Sequence, residues 1–393
     1  MRARSVPGSG ELESSVEDEE SRTEMQREKN RLQGEMHLTH VRGPGTCPPQ
    51  GPYGSCKLLL ENRWEEMKAV LCKTYGPPES LVVEEVDPPK VDKDGVRIEV
   101  HAAGVNFADT LIIQNKYQMK PTLPFSPGSE VAGVALEVGE EVGHVKPGDR
   151  ILAITGWGGY AEQAAAHKST VYPIPEEMDM IHAASLPTVY GTSYYALKQR
   201  GRLCPGETLL VLGATGGVGL TAVEIGKLMG ARVIAAGGSD EKLNIAAEYG
   251  ADHLINYREQ SIKDEVKVLT GDQGADVIYD AVGGDAFDQA MRCINWNGRL
   301  LVVGFASGRI PEVAVHRVMN KGCEIVGVLW GATLLREPDI NRQNLEEVLK
   351  WFSQGRLRPY VSGVLPMHRA AEALGLLLER KSIGKVVLSM RDA

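Results

Sequence analysis

The rhythm of apolar positions in this chain changes near residue 182. From Met67 to about Pro175 they come in short runs broken by Gly, Pro and Asp, as in MKAVLCKTYG, SLVVEEVDPPKV and GVRIEVHAAGVN. Runs of that length between turn residues predict a mainly β region. From about His182 strand-like and helix-like segments alternate. LLVL (209–212) predicts a strand, and Val218–Met229 a helix with Val218, Ala222, Ile225 and Met229 on one face. ARVIAA predicts the next strand and Asp240–Tyr249 a helix with Ser239 as N-cap. HLIN then predicts a strand, Ile262–Leu269 a helix, ADVIYDAV a strand, Ala286–Cys293 a helix, GRLLVVG a strand and CEIVGVLW a last strand. Several of these strands are apolar throughout, as strands covered on both faces must be. The alternation therefore predicts an α/β part with a doubly wound parallel sheet. Two helices, Asn341–Gln354 and Met367–Arg380, and the strand GKVVLSM close the chain.

Residues 1–66 follow neither rhythm. They are charged and apolar-poor (SGELESSVEDEESRTEMQREKNRLQGE) and then rich in Pro and Gly (RGPGTCPPQGPYGSC). Such a segment cannot bury enough surface to offset its ordering entropy, so it is expected to be mostly disordered, with a short frayed helix around Glu24–Leu32. Its acids argue against a transit peptide. Met36 leaves two readings open, a tail or an upstream extension of a shorter protein.

Composition narrows the function classes. With 42% hydrophobic and 24% charged residues, the 393-residue chain can build two cores. Its net charge of −9 argues against a general nucleic-acid surface. No apolar run reaches the roughly 18 residues that span a bilayer. The six cysteines (Cys47, Cys56, Cys72, Cys204, Cys293, Cys323) form no C-x-x-C pair or zinc knuckle. They are read as reduced thiols of a cytoplasmic protein, with a mitochondrial location as the alternative.

The strongest motif is GATGGVG, at residues 213–219 between a strand and a helix. That context is what a dinucleotide fingerprint requires. Gly213 allows the tight turn, Gly216 and Gly217 let the backbone approach a pyrophosphate, and Gly219 lets helix and strand pack closely. The helix N-terminus adds unpaired N–H groups. No Gly-Lys-Ser/Thr follows, which excludes a kinase-type phosphate loop. The second strand ends Ala235-Ala236-Gly237-Gly238, with no acid to hold a ribose 2′-OH. Ser239, Lys242, Tyr257 and Arg258 stand nearby instead. A 2′-phosphate needs donors and positive charge, so NADPH is expected over NADH.

A β part, a Rossmann part with GATGGVG and a return to the first part resemble the medium-chain dehydrogenase/reductase superfamily. The closer resemblance is to its zinc-free quinone oxidoreductases. It is carried by AAGVNFADT (102–110), LPFSPGSEVAGVALEVG (123–139), VKPGDRI (145–151), GGYAEQ (158–163), YGADHLINY (249–257) and KSIGKVVLS (381–389). The resemblance implies a GroES-like catalytic domain over 67–190, a Rossmann NADPH-binding domain over 191–329 and a return to the catalytic domain over 330–393. Zinc members carry a GHE motif and a ligand cysteine. Here the positions read Gly128-Ser129-Glu130 and Asn106–Asp109, so no metal is expected.

The implied chemistry is hydride transfer from NADPH to a quinone or an α,β-unsaturated carbonyl. Carried over residue by residue, Thr192 contacts the nicotinamide amide and Gly216, Gly217, Val218 and Gly219 hold the pyrophosphate. Ser239, Lys242 and Tyr257 hold the 2′-phosphate. Val282, Gly304, Phe305, Val328, Leu329 and Trp330 line the cofactor pocket. Asn106 and Asp109 shape a loop in reach of substrate. Leu111 stands where related quinone reductases have tyrosine, a departure that removes a polar contact. In related enoyl thioester reductases a tyrosine after an IQGN-like run is the proton donor, and Tyr117 ends such a run here (IIQNKY). Two alternatives stand beside the quinone or enone reductase: an enoyl thioester reductase, and a non-catalytic protein that binds NADPH. A homodimer is expected through the edge strand near Cys323–Val328, because an exposed apolar edge invites pairing.

Overall fold

The computed structural model describes residues 66–391. The expected disorder of residues 1–66 and the short helix at Glu24–Leu32 therefore lie outside the described residues, Glu66 apart. Two large sheets organise the rest. A six-stranded parallel sheet runs His253–Asn256, Arg232–Gly237, Thr208–Leu212, Ala275–Asp280, Ile294–Val302 and Glu324–Gly327 from edge to edge. In chain order that is 3-2-1-4-5-6, the doubly wound arrangement. Every residue of Thr208–Leu212 is buried, which is why this strand carries no alternation. The chain reverses direction across the sheet between Thr208–Leu212 and Ala275–Asp280, so the crevice for a ligand opens at the carboxyl ends of these two strands.

The second sheet is mostly antiparallel and draws on both ends of the chain. Its order is Val361–Pro366, Lys385–Ser389, Gly95–Val105, Glu130–Val138, Arg150–Ile154 and Val171–Pro173, with Gln163–His167 also paired to Gly95–Val105. Lys385–Ser389 pairs antiparallel with Gly95–Val105, Val386 opposite Val105. This closes the fold: the last strand completes the first domain's sheet after the chain has built the Rossmann part. Ile98, Ile113, Ile151 and Tyr160 fill one core of this sheet, and Met178, Leu186, Tyr190 and Leu197 lie in the core that joins it to the Rossmann part.

Most expected elements sit within a residue or two of their bounds, and Ile262–Leu269 and His253–Asn256 coincide. Ile294–Val302 starts four residues before the expected strand and Gly284–Ala290 ends three before the expected helix, and three larger differences stand out. The last Rossmann strand stops at Gly327, and Trp330 starts the helix Trp330–Arg336 instead of ending a strand. The Trp330 indole turns inward, donates to Asn341 Oδ1 at 2.9 Å and lies where a Cβ on Gly191 would be 2.5 Å from it. The helix expected over Met367–Arg380 is a 3₁₀ turn, Met367–Arg369, followed by Ala370–Leu378. Pro187–Tyr195, for which periodicity predicts no element, is a nearly all-buried helix that continues as a π-helical turn, Ala196–Arg200. An all-buried helix has no polar face to reveal it.

A buried carboxylate ties these parts together. Glu224, on the helix Gly217–Leu228, accepts from Tyr190 Oη at 2.6 Å and from the Arg358 backbone N–H at 2.9 Å. Burial raises its pKa from 4.5 to about 7, opposed by those two hydrogen bonds and the Arg358 charge. The native state then binds more protons than the unfolded state between those two values. Stability falls as pH rises through that window, by about 1.4 kcal/mol for each pH unit crossed. Glu224→Gln lacks the charge. Its Tm relative to wild type should rise from about pH 5 to about pH 8, by several degrees. Thermal melts across that range test this, and a Tm difference that shrinks with pH would contradict the assigned ionisation.

Candidate functional site

The glycine loop leaves the strand Thr208–Leu212 and enters the helix Gly217–Leu228. Gly213 has φ +69°, the left-handed region, and makes the turn. A Cβ on Gly219 would lie 2.0 Å from Gly213 O, so only glycine lets the helix come this close to the strand. Gly216 is exposed, and the nearest atom to its hypothetical Cβ is 3.6 Å away. Gly216 is therefore open on the side a Cβ would occupy. Gly217 also has a packing reason of its own. A side chain there would meet Val189 at 3.0 Å and Gly384 O at 3.4 Å, so the protein's own packing uses its lack of one. Val218 is half-buried in the first turn.

At the end of the strand Arg232–Gly237 a cationic corner forms. A Cβ on Gly238 would be 3.2 Å from Arg258 Nε and 3.3 Å from Tyr257 Oη. Ser239 is the N-cap of Asp240–Glu248 by backbone position, yet its side chain makes no capping bond. Lys242 is half-buried and its ammonium is already engaged. It donates to Arg380 O at 2.6 Å and Ser382 O at 3.1 Å, which uses two of its three N–H groups. Burial lowers its pKa, with Arg258 adding to that and Glu241 opposing it. Arg380 reaches from the C-terminal segment to Ala306 O at 3.2 Å. No local pattern marks this contact, since it joins residues 74 apart.

Beyond the loop, Asp280 holds the other wall. It accepts from the Val282 and Gly283 N–H groups at 2.8 and 2.9 Å, while its Oδ2 is buried without a partner. Val282 packs towards Gly213, and Phe305 towards Gly283. Gly304 N–H donates to Asp280 O at 3.2 Å, keeping the segment Gly304–Phe305 alongside. Thr192 is half-buried on the helix Pro187–Tyr195, and Leu329 is exposed beside buried Val328. Trp330 turns its indole inward, against Gly191 and onto Asn341.

The loop that follows Gly95–Val105 is the most tightly bonded part of the site. Asn106 and Asp109 are both buried, and their polar groups face the interior rather than open space. Asn106 Nδ2 donates to Glu130 Oε1 at 2.8 Å and to Ser129 Oγ at 3.3 Å, and its Oδ1 accepts from Lys385 Nζ at 2.7 Å. Lys385 also donates to Glu130 Oε1 at 2.7 Å and Val105 O at 2.9 Å. Glu130 Oε2 accepts from the Thr188 N–H at 2.7 Å. Asp109 Oδ2 accepts from Tyr160 Oη at 2.8 Å and Asn106 N–H at 2.9 Å, and its Oδ1 has no partner. Burial raises the Asp109 pKa to about 6. Sequence reasoning missed Lys385, Tyr160 and Thr188 as members of this cluster, because they are brought together over about 50 to 280 residues.

This cluster occupies the positions at which zinc relatives carry their ligands. Its donors do not fit a metal. Glu130 is neutralised by Lys385, Asn106 and Ser129 bond to one another, and a dication would have to displace a buried ammonium. Among the described residues no group of three His, Cys, Asp or Glu side chains is placed to hold a metal ion. Tyr117 sits half-buried against the same core, its phenol pushed above 10 by burial and then by the Asp109 charge. Leu111 is half-buried on the short helix Phe107–Ile112.

Residues 92–176 match the family described as alcohol dehydrogenase GroES-like domain, and residues 217–354 the one described as zinc-binding dehydrogenase. Fold and cleft thus define a dehydrogenase/reductase with a GroES-like part and a Rossmann part. A quinone oxidoreductase-like protein 2 homolog of Nematostella vectensis is 42% identical over 329 residues, 83% of this chain and 89% of that protein. The quinone oxidoreductase-like protein 2 of Rattus norvegicus is 37% identical over 346 residues, 88% of this chain and 98% of that protein. The structure of Escherichia coli quinone oxidoreductase complexed with NADPH superposes with a TM-score of 0.76 at 27% identity, covering 82% of this chain and 99% of that one. The chain belongs to the quinone oxidoreductase family of medium-chain dehydrogenases/reductases, and it is an oxidoreductase.

Two positions of the glycine loop make opposite demands. Gly219→Ala forces a Cβ onto Gly213 O and should cost more than about 2 kcal/mol, lowering Tm by about 4 °C or more. Gly216→Ala meets nothing nearer than 3.6 Å and should leave Tm nearly unchanged. Differential scanning calorimetry of both variants checks this, and equal losses would mean that the loop is not shaped as described.

Proposed function

We propose that this chain takes NADPH as its hydride source and reduces a quinone or an α,β-unsaturated carbonyl without a metal. One observation carries the reading: the second Rossmann strand ends without a carboxylate, Tyr257 and Arg258 stand beside Gly238, and Lys242 lies within electrostatic reach of Arg258. An acid there would select a ribose hydroxyl, whereas donors and positive charge select a 2′-phosphate. Gly216, Gly217, Val218 and Gly219 would hold the pyrophosphate at the helix N-terminus. Ser239 has a hydroxyl not spent on capping, and Lys242 has one N–H left, both for the 2′-phosphate. Thr192, Val282, Gly304, Phe305, Val328 and Leu329 would frame the nicotinamide.

Bound NADPH supplies the hydride, and the acceptor delocalises the charge that develops. The chain's own residues then position the partners and exclude water. Tyr117 would hold a proton at its Oη, since a phenol raised above 10 stays protonated at neutral pH. Reduction of an enone leaves a carbon to protonate, whereas reduction of a quinone does not. Tyr117 therefore favours a conjugated carbonyl over a quinone, which suits an enone and also the second reading, an enoyl thioester reductase. Loss of NADPH absorbance with quinones, enones and enoyl thioesters, each with and without a chelator, separates these readings. Activity lost with the chelator would refute the metal-free part.

Lys242→Ala should weaken NADPH about 10- to 100-fold, the worth of a hydrogen bond to a charged group. NADH should be nearly unaffected. Titration calorimetry with both cofactors decides it, and equal losses would refute the assignment of the corner.

We also propose that the edge strand Glu324–Gly327 joins two copies of the chain. It is one of the two edges of the parallel sheet among the described residues, with Ile325 39% and nearby Leu329 57% exposed. Two such edges about a twofold axis make a self-complementary contact. Val326 is buried, so the clean probe is Ile325→Glu. Light scattering should give a dimer for the wild type and a folded monomer for the variant. A monomeric wild type would remove this interface.

A further inference from the structure

The C-terminal segment Arg380–Gly384 runs from the cationic corner to the buried cluster under the substrate loop. At its start Lys242 holds the carbonyls of Arg380 and Ser382. At its end Gly384 N–H donates to Thr215 O of the glycine loop at 3.0 Å, and Gly384 bridges to Gly216. The next residue is Lys385. Its stem packs 3.6 Å from the Cβ position of Gly217, and its ammonium is spent on Val105 O, Asn106 Oδ1 and Glu130 Oε1. Asn106 in turn positions Asp109 and the helix Phe107–Ile112, and Glu130 holds the Thr188 N–H one turn before Thr192. One continuous set of short bonds thus joins the corner that would take the 2′-phosphate to both elements that would face the reacting atoms.

We infer that Lys385 is a positioning residue that couples occupancy of the 2′-phosphate corner to the order of the substrate loop. The inference rests on the NADPH reading above. A 2′-phosphate taking the third N–H of Lys242 fixes that ammonium, and with it the two carbonyls it already holds. Segment Arg380–Gly384 is then held more firmly at its Lys242 end, and Lys385 passes that order on through its three bonds. NADH lacks the phosphate and orders the glycine loop without this second effect. The coupling is reciprocal, so whatever orders the loop also favours NADPH.

Hydrogen exchange followed by mass spectrometry on the full chain, at saturating NADPH and at saturating NADH, tests this without a known substrate. Both cofactors should protect peptides over 213–219. NADPH should slow exchange at 380–385 and at 106–113 about fivefold or more beyond NADH. In Lys242→Met both extra effects should vanish while protection at 213–219 stays. In the double variant Lys385→Met/Glu130→Gln, which removes the ion pair without leaving a lone buried charge, the extra effect should persist at 380–385 and vanish at 106–113. A merely structural role for Lys385 would change exchange at 106–113 equally with either cofactor. Equal protection of 106–113 by NADH and NADPH in the wild type overturns the inference, as does an NADPH-specific effect there that survives in the double variant. Should the double variant not fold, the wild type and Lys242→Met still decide. Absence of NADPH protection at 213–219 would instead overturn the cofactor reading itself, and is seen separately.

Discussion

The ion pair between Lys385 and Glu130 is the constraint on which the arrangement of the site depends. Both side chains are nearly inaccessible, at 4% and 0% exposure. Taking two charges out of water costs several kcal/mol per ion, which Coulomb attraction alone need not offset. The pair is tolerable because every donor of Lys385 and both oxygens of Glu130 are bonded. Satisfaction on every side also fixes direction. The long strand Gly95–Val105, the last strand, the helix Pro187–Tyr195 and the loop at Asn106 meet in one geometry, because no other leaves these charges paired.

That geometry explains what stands at the metal positions. A zinc site and a buried ammonium compete for the same carboxylate environment, and this chain holds the ammonium. On the metal-free reading proposed above, the acceptor must carry its own developing charge. Quinones and conjugated carbonyls do so. The proposed substrate class thus rests on electrostatics at Lys385 as much as on the cofactor corner.

Legibility from the sequence divides along the same line. The Rossmann half is readable because its signals are local: a buried strand, a glycine turn and a helix lie close together, and Gly219 meets Gly213 within the same loop. The catalytic half is readable as β by its turns, but its site is not. Resemblance places Asn106 and Asp109 near substrate, yet their polar atoms face Lys385, Glu130 and Tyr160, partners far along the chain that no period or spacing announces. Trp330 shows the opposite error. An apolar run extends through it, while a tryptophan beside Gly191 finds more burial by turning inward into a helix. Gly217 reads as a ligand glycine, and its packing against Gly384, which arrives from the far end of the chain, is not legible in the loop itself.

The two halves of the site are therefore governed by different physics. Backbone donors in a short loop form the cofactor half, where side chains matter chiefly by being absent. The other half consists of charged side chains sealed from water, where each bond is needed by the next. A sequence change in the first half acts through space, by filling it. In the second half it acts through charge, by leaving a partner unpaired. Asp109 marks the boundary between them: it is buried, raised to about 6, bonded by Tyr160 and Asn106, and still has one oxygen without a partner. A buried acceptor left unmet is costly. With that oxygen unmet and its charge adding to the effect of burial on the Tyr117 phenol, Asp109 links the sealed cluster electrostatically to Tyr117.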